Sequence, residues 1–251
     1  MKLRLFPVMA LTSMMGLGMA EAQPAPPASD DWEFRVTPYL WGAGMDGTVG
    51  IAGREADFDV KTKDLLKSLD FGIMGSFEAR RNRWSVGADA VYTDLGKDVT
   101  LETPIELPGE ETPRLDMSMT ILEGTVGYQV AKSLDVLAGL RGVAASSSLQ
   151  VDEARTFAEA DGGFADPIVG ARFRRDLSEK LSVHLRGDVG GFGVGSDFSW
   201  FVNAAGAYRA SRLISLDFGY RIWDFDYESD NDLKRLDAAL GGFAFGLTFH
   251  F

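Results

Sequence analysis

Residues 243–251 read FAFGLTFHF, and this stretch decides the fold. Successive side chains of a β-strand point to opposite faces of the sheet, so alternate residues share a face. One face holds Phe243, Phe245, Leu247, Phe249 and Phe251, and the other holds Ala244, Gly246, Thr248 and His250. Such alternation predicts a strand whose two faces meet different surroundings.

The same period recurs upstream. In residues 214–222 apolar side chains alternate with Ser215, Asp217, Gly219 and Arg221, and residues 181–189 repeat the pattern with Ser182, His184, Arg186 and Asp188. Alternation alone does not separate a sandwich, whose apolar face meets a core, from a barrel, whose apolar face meets lipid.

The links between strands favour the barrel. Links of a few residues alternate with longer ones, as periplasmic turns and external loops do in outer-membrane barrels. The short links are 81–83, 131–133, 175–180 and 210–212, and the longer ones are 46–70, 95–114, 149–166 and 224–235, with a brief one at 194–197. We therefore predict an all-β, transmembrane, antiparallel up-and-down β-barrel with both chain ends in the periplasm.

Ten segments have the pattern of barrel strands, and most are long enough to cross a bilayer at a tilt. They are 32–45, 70–80, 84–94, 115–129, 134–148, 165–175, 181–193, 198–209, 213–223 and 236–251. Eight strands is the alternative, because Pro167 weakens the sixth segment, which would then be loop together with a neighbour.

The N-terminus has the layout of a secretory signal peptide. Lys2 and Arg4 precede an apolar stretch, and the small residues around Ala22 follow it. We expect cleavage after Ala22, so that 1–22 is the signal peptide, 23–31 a flexible lead-in and 32–251 the barrel. Export and the barrel pattern together predict an outer-membrane location.

Composition excludes several classes of function. The 251 residues include no Cys, so disulfides, thiolate metal sites and a Cys nucleophile are excluded. A formal charge of -12 disfavours nucleic acid as a partner. The five external links hold 22 acidic and 9 basic residues, whereas the rest of the mature chain is balanced. That balance suits a closed interior, where an unpaired charge is costly.

The chain resembles the bacterial outer-membrane β-barrel proteins of the OmpA and OmpX type. The resemblance rests on the signal peptide, the terminal aromatic pattern and the segments TPYLW (37–41), GGFGVGSD (190–197) and GYRI (219–222), and it covers the mature chain. It implies that Phe243, Phe245, Leu247, Phe249 and Phe251 form a signal for the barrel assembly machinery. The family shares an architecture rather than one activity, so the resemblance implies a location and no substrate.

Charged side chains on the inward-facing positions are the main candidate site. In a narrow barrel they either pair into a salt-bridged plug or line a narrow channel for ions or small solutes. The set is Glu33, Arg35, Glu78, Arg80, Asp89, Glu123, Asp135, Arg141, Arg172, Arg174, His184, Arg186, Asp188, Arg209, Asp217 and Arg221. We favour the plug, and with it a structural or surface-interaction role.

The remaining expectations concern chemistry and partners. Both histidines, His184 and His250, lie toward the periplasmic end, so we expect no enzyme with a His-dependent site at the outer rim, and no cofactor. Membrane lipid and lipopolysaccharide are the expected partners. The acidic run Asp224, Asp226, Glu228, Asp230 and Asp232 is interpreted as a solvated loop or, alternatively, a binding site for divalent cations. A soluble periplasmic barrel or sandwich that binds a ligand is the weaker alternative.

Overall fold

A computed structural model of the chain describes residues 31–51, 54–63, 69–98, 114–152, 155–228 and 234–251. The predicted signal peptide lies outside these residues, as do 23–30 of the lead-in and Asp230 and Asp232 of the acidic run. In the described residues, no helix is long and apolar enough to cross a membrane.

The described residues form eleven β-strands, all paired antiparallel. They are β1 (Glu33–Ile51), β2 (Arg54–Val60), β3 (Leu69–Arg81), β4 (Trp84–Asp98), β5 (Arg114–Ala131), β6 (Leu134–Asp152), β7 (Arg155–Asp176), β8 (Leu181–Gly191), β9 (Phe198–Arg209), β10 (Ile214–Glu228) and β11 (Lys234–His250).

The sheet closes on itself. Strands pair in sequence order, and β11 returns to pair with β1 from Arg35–His250 to Ile51–Lys234. β2 pairs only with the far part of β1, whereas β3 pairs with the near part, between Glu33–Arg80 and Pro38–Gly75. Ten strands therefore form the closed wall, and β2 extends it as a hairpin. The predicted ten-stranded antiparallel barrel is confirmed.

The predicted sixth segment, which contains Pro167, belongs to the longest strand. β7 has 22 residues and pairs with β6 from Arg155 to Phe173. Pro167 lies opposite Leu140 of β6, but pairing with β8 begins only at Ile168. A proline lacks the N–H that a second neighbour would require, and here there is no second neighbour. The eight-strand alternative is excluded.

The two ends of the barrel differ. At one end, called here the turn end, links of two to a few residues join β3 to β4, β5 to β6, β7 to β8 and β9 to β10. At the other, called here the hairpin end, the strands run on as long pairs. The prediction of loops over 46–70 and 149–166 is therefore partly wrong, because β1, β2, β6 and β7 occupy much of both. Polar side chains mark where an apolar surface ends, but they leave backbone pairing intact.

The outer surface of the barrel is apolar. Leu40, Ile73 and Leu140 are 69%, 63% and 63% exposed, whereas the inward-facing Arg141 and Asp166 are 3% and 0% exposed. A water-soluble domain has the opposite distribution, because burying a charge costs far more than exposing a leucine. This arrangement, with a sheet closed by the pairing of β11 with β1, is what lipid requires. It argues against the soluble alternative.

The interior divides into two halves along the barrel axis. Charged side chains line the half toward the turn end, and a cluster of apolar side chains fills the half toward the hairpin end. The most buried members of that cluster are Tyr39, Trp41, Val91, Ile121, Phe201, Trp223, Phe225, Ala238 and Leu240.

Candidate functional site

The predicted lumen charges come from nine of the wall strands and occupy inward-facing ladder positions. Among the described residues, thirteen of the sixteen form ion pairs within 4 Å. The other three are His184, Arg209 and Asp217, of which Asp217 accepts a hydrogen bond from Thr248 at 2.6 Å. Glu33 lies at the turn end with its side chain 55% exposed.

Glu123, Arg141, Arg186 and Asp188 form a closed ring of alternating charge, called here the central ring. Arg141 Nη2 donates to Glu123 Oε2 at 2.7 Å and to Asp188 Oδ1 at 2.9 Å. Arg186 donates to the remaining oxygens of both carboxylates, at 2.7 Å each. Each charge therefore contacts two of opposite sign, and the ring is neutral. Desolvated charges are tolerated when every one is paired in this way.

An aromatic layer covers the central ring toward the hairpin end. It comprises Tyr39, Trp41, Phe201, Trp223 and Phe225. The guanidinium carbon atoms of Arg141, Arg186 and Arg221 lie 5.0, 5.1 and 5.2 Å from the Phe201 ring centroid. Arginine over an aromatic face is an attractive arrangement that strengthens when water is excluded. The contacts of Arg141 and Arg186 with Phe201 therefore stabilise both the aromatic layer and the central ring.

Arg221 connects the aromatic layer to a further carboxylate. Its guanidinium lies 4.8 Å from the Tyr39 ring and 5.1 Å from the Trp41 ring, and it contacts Asp89 at 3.4 Å. Tyr39 also donates its hydroxyl hydrogen to Asp89 at 2.7 Å. The layer is therefore anchored to the charged half by direct contacts on the β1, β4 and β10 walls.

A second group of charges lies nearer the turn end and is called here the Glu78 cluster: Arg35, Glu78, Arg80, Asp135, Arg172 and Arg174. Four guanidinium groups share the single carboxylate of Glu78. Arg172 and Arg174 donate to it directly, and Arg35 and Arg80 approach it at 3.6 and 3.8 Å. Asp135 accepts from Arg80 and, at 2.8 Å, from Arg172. Four positive charges thus face two negative ones.

A cavity of about 620 Å³, called here the vestibule, occupies the lumen between the central ring and the turn end. Its inner limit is formed by Tyr39, Phe201 and Arg221, and its outer limit includes turn residues such as Lys132 and Lys180. Small side chains form one wall and leave the space open: Ala205, Ala207, Gly219, Ala244 and Gly246. Ten cationic and eight acidic side chains line it, an excess of two positive charges.

A buried aspartate secures the tight link between β8 and β9. Asp166 accepts hydrogen bonds from the Ser196 backbone N–H at 2.7 Å, the Ser196 hydroxyl at 2.6 Å and the Ser199 hydroxyl at 3.0 Å. Gly191 and Gly193 adopt φ values of 88° and 71°, which other residues rarely reach. The link therefore closes the hairpin end of these two short strands without a long loop.

Both histidines lie in the vestibule wall and contact serine hydroxyls. His184 Nε2 lies 3.1 Å from Ser182 Oγ, and His250 Nε2 lies 2.8 Å from Ser215 Oγ. Activation of a serine nucleophile also needs a group that orients the imidazole and donors that stabilise an oxyanion. Among the described residues, neither imidazole donates a hydrogen bond to a carboxylate.

The C-terminal aromatic residues face outward. Phe243, Phe245 and Phe251 are 56%, 58% and 72% exposed, and Phe218 of β10 packs against Phe243 and Phe245 at 5.6 and 4.8 Å between ring centroids. The terminal residue is tied to the first strand by two backbone hydrogen bonds with Phe34, of 3.0 and 3.1 Å. Leu247 and Phe249 lie on the same face of β11 by the strand period.

Aspartates occupy outward positions at the hairpin end, beyond the apolar belt. Asp226 and Asp237 lie directly opposite each other on β10 and β11, and Ala239 lies between Asp46 and Asp224 on the neighbouring ladder positions. No group of three or more His, Cys, Asp or Glu side chains in the described ranges is arranged to hold a metal ion.

The aromatic layer and Asp166 were missed by sequence reasoning. Trp223 and Phe225 continue the inward positions of Arg221 at period two, and that signal was available. It was overlooked because Asp224, together with the acidic residues that follow Phe225, marked 224–235 as a loop. Asp166 falls where the predicted link 149–166 overlaps the predicted strand 165–175, and it was assigned no role.

No protein-family model matches the sequence, and no curated protein does. Among solved structures, the chain is similar to the outer membrane protease OmpT from Escherichia coli, with a TM-score of 0.53 and 10% identity over 90% of this chain and 99% of that one. It also matches the NalP translocator domain from Neisseria meningitidis (TM-score 0.42, 12% identity, 87% and 88% covered) and Ail from Yersinia pestis (0.38, 9%, 90% and 100%). The similarity to OmpT concerns the fold: this chain is a closed, ten-stranded antiparallel β-barrel.

Proposed function

We propose that the chain is an integral outer-membrane β-barrel whose lumen is closed toward the cell exterior, with a structural or surface-interaction role. The single observation that carries this proposal is the inverted distribution of polarity, with exposed leucine and phenylalanine outside and paired charges inside. Short links at one end and long hairpins at the other support a topology with the turn end in the periplasm.

The aromatic layer supports a closed lumen over the alternative of a channel. Trp223 and Phe225 are 2% and 4% exposed, and the vestibule ends at Tyr39 and Phe201 without reaching the hairpin end. An ion that crossed this layer would lose its hydration without gaining polar contacts. The lumen is therefore open to the periplasm and blocked beyond the central ring.

We expect the wild-type barrel to be silent in planar lipid bilayers, and the Phe201→Ala/Trp223→Ala variant to show discrete conductance steps. Removing both rings takes away the apolar barrier while leaving the wall strands intact. Each protein is first shown to be a folded barrel in the outer membrane. For this, unboiled and boiled samples of the outer-membrane fraction are compared on a gel, where a folded barrel migrates differently before and after boiling.

The matched control is Phe218→Ala/Phe245→Ala, which removes a contacting ring pair from the outer face. This variant is expected to be silent. Steps from the wild type would refute the closed lumen, and silence of the Phe201/Trp223 variant would show that the aromatic layer is not the barrier. Protein in the soluble fraction would refute the membrane location itself.

We also propose that the barrel has no enzymatic activity, in keeping with the position of both histidines at the turn end. The structural similarity to a protease is a similarity of fold at 10% identity, and a fold does not carry a function. The proposed partners are membrane lipid, lipopolysaccharide and, during insertion, the barrel assembly machinery.

Divalent cations shared with lipopolysaccharide phosphates are the proposed ligands of the outward aspartates. Carboxylates directly opposite on paired strands repel each other, as Asp226 and Asp237 would. A divalent cation that binds both carboxylates and a lipid phosphate relieves that repulsion. We expect calcium to raise the unfolding midpoint in lipopolysaccharide-containing vesicles by about 3 °C, and by much less in Asp226→Asn/Asp237→Asn.

The control for this effect is Asp176→Asn/Glu179→Gln, which removes two exposed carboxylates at the opposite, turn end. It is expected to keep the full calcium response. An equal response from all three proteins would mean that calcium acts on the lipid alone.

A further inference from the structure

The Glu78 cluster holds more positive charge than its carboxylates neutralise. Among the described residues, Arg35 contacts Glu78 and Glu33 only at 3.6 and 3.9 Å, distances too long for hydrogen bonds. Its N–H groups therefore have no acceptor in that part of the chain, although the side chain is only 29% exposed. Arg174 is 19% exposed and donates to Glu78 Oε2, the same oxygen that accepts from Arg172, whereas Glu78 Oε1 accepts no hydrogen bond from the described residues. Guanidinium groups have five donors each, so this cluster has far more donors than acceptors.

The excess of positive charge belongs to the Glu78 cluster and the turn end, because the central ring is neutral. Its two arginines and two carboxylates are balanced, and Arg221 is balanced by Asp89. The surplus of two positive charges in the vestibule therefore lies in the Glu78 cluster and toward the turn end. It occurs in a chain whose overall formal charge is -12, so a general cationic character does not explain it. Enclosed charge without a counter-charge is unfavourable, and an incoming anion would remove that cost.

The vestibule also has the size and access of a ligand site. A volume of about 620 Å³ falls in the range of pockets that hold small organic molecules. Alanine and glycine residues on β9, β10 and β11 form the part of the vestibule wall that leaves this space open. Carboxylate and phosphate groups match the planar fork of a guanidinium with two parallel hydrogen bonds.

We propose that the Glu78 cluster is a binding site for a small organic anion carrying a carboxylate or phosphate group, which enters the vestibule from the turn end. The anion is held by Arg35 and Arg174, and Glu78 and Asp135 fix the positions of the surrounding arginines. The site is independent of the closed lumen, because the vestibule opens toward the turn end whether or not the aromatic layer is a barrier.

The test is titration of the folded barrel, in non-ionic detergent, with citrate and with inorganic phosphate, followed by calorimetry and by the thermal unfolding midpoint. We expect saturable binding of at least one probe that sodium chloride at equal ionic strength does not reproduce. Binding of citrate alone identifies a carboxylate ligand, binding of phosphate alone identifies a phosphate ligand, and binding of both at one site identifies the shared oxyanion chemistry.

Arg174→Gln and Arg35→Gln are each expected to weaken binding by about tenfold or more. Arg212→Gln is the matched control: it removes an exposed arginine from a turn-end link that does not line the vestibule, and it should bind as the wild type does. Glu78→Gln should gain a larger rise in unfolding midpoint from the anion than the wild type gains, because the ligand replaces the missing negative charge. Absence of saturable binding by both probes, or equal weakening in Arg174→Gln and Arg212→Gln, would overturn the proposal.

Discussion

Glu123→Gln is expected to lower the free energy of unfolding by about 3 kcal/mol, because it leaves two buried arginines short of a counter-charge. Glu123 accepts from Arg141 at 2.7 Å and from Arg186 at 2.7 Å, and its side chain is 8% exposed. In the variant, Asp188 is the one carboxylate of the central ring that remains to neutralise both guanidinium groups. Urea unfolding of the barrel in lipid vesicles, followed by tryptophan fluorescence, measures the change.

The matched control is Glu33→Gln, which makes the same substitution in a glutamate that is 55% exposed and 3.9 Å from Arg35. Exposed pairs of this kind contribute about 1 kcal/mol or less, so the control should unfold much as the wild type does. Equal destabilisation by the two variants would show that the central ring contributes no more than a surface pair.

Combining Glu123→Gln with Arg186→Gln measures how strongly the two side chains are coupled. The second change removes one of the two arginines that the first change left sharing Asp188 as their counter-charge. We therefore expect the double variant to be less destabilised than the sum of the two single variants. Additive effects would mean that Glu123 and Arg186 are not coupled, in spite of the short contact.

The sequence predicted the wall of the barrel better than its contents. Alternation identified the ten strands and the inward positions of Arg141, Asp188 and Glu78, because period two follows directly from strand geometry. Which of these charges contact each other depends on register between strands distant in sequence, and on side chains that cross the lumen. Arg172 and Glu78 are brought together from β7 and β3 in this way, and no local pattern reports it.

The aromatic layer was hidden by the length of the strands. Trp223 and Phe225 lie on inward positions, but the outward positions between and beyond them are Asp224 and Asp226. A strand that leaves the membrane has polar residues outside and keeps an apolar inside, so its pattern is the inverse of the pattern within lipid. A search for apolar outward faces therefore ends where the layer begins. Asp166 lies on an inward position of β7 between Ala165 and Pro167, and its role depends on contacts with Ser196 and Ser199 that strand period does not report.

Phe251→Asp is expected to abolish accumulation of folded barrel in the outer membrane of cells. The residue is 72% exposed at the turn end, and its two hydrogen bonds with Phe34 involve only backbone atoms, so the substitution leaves the strand ladder unchanged. A charge at this edge of the belt costs about 1 kcal/mol or less in lipid. Energetics alone therefore predicts a nearly normal barrel, whereas the assembly-signal interpretation predicts a defect in cells.

Two comparisons separate these explanations. Phe34→Asp places the same charge on the paired strand next to Phe251 and should leave assembly in cells close to normal, because Phe34 is outside the terminal aromatic pattern. Purified Phe251→Asp should fold into lipid vesicles as the wild type does, since no machinery reads the terminus there. Quantification of heat-modifiable barrel in membrane fractions measures both. If Phe251→Asp fails in vesicles as well, or if Phe34→Asp is equally defective in cells, the terminal phenylalanine acts through the stability of the barrel seam and is not a signal.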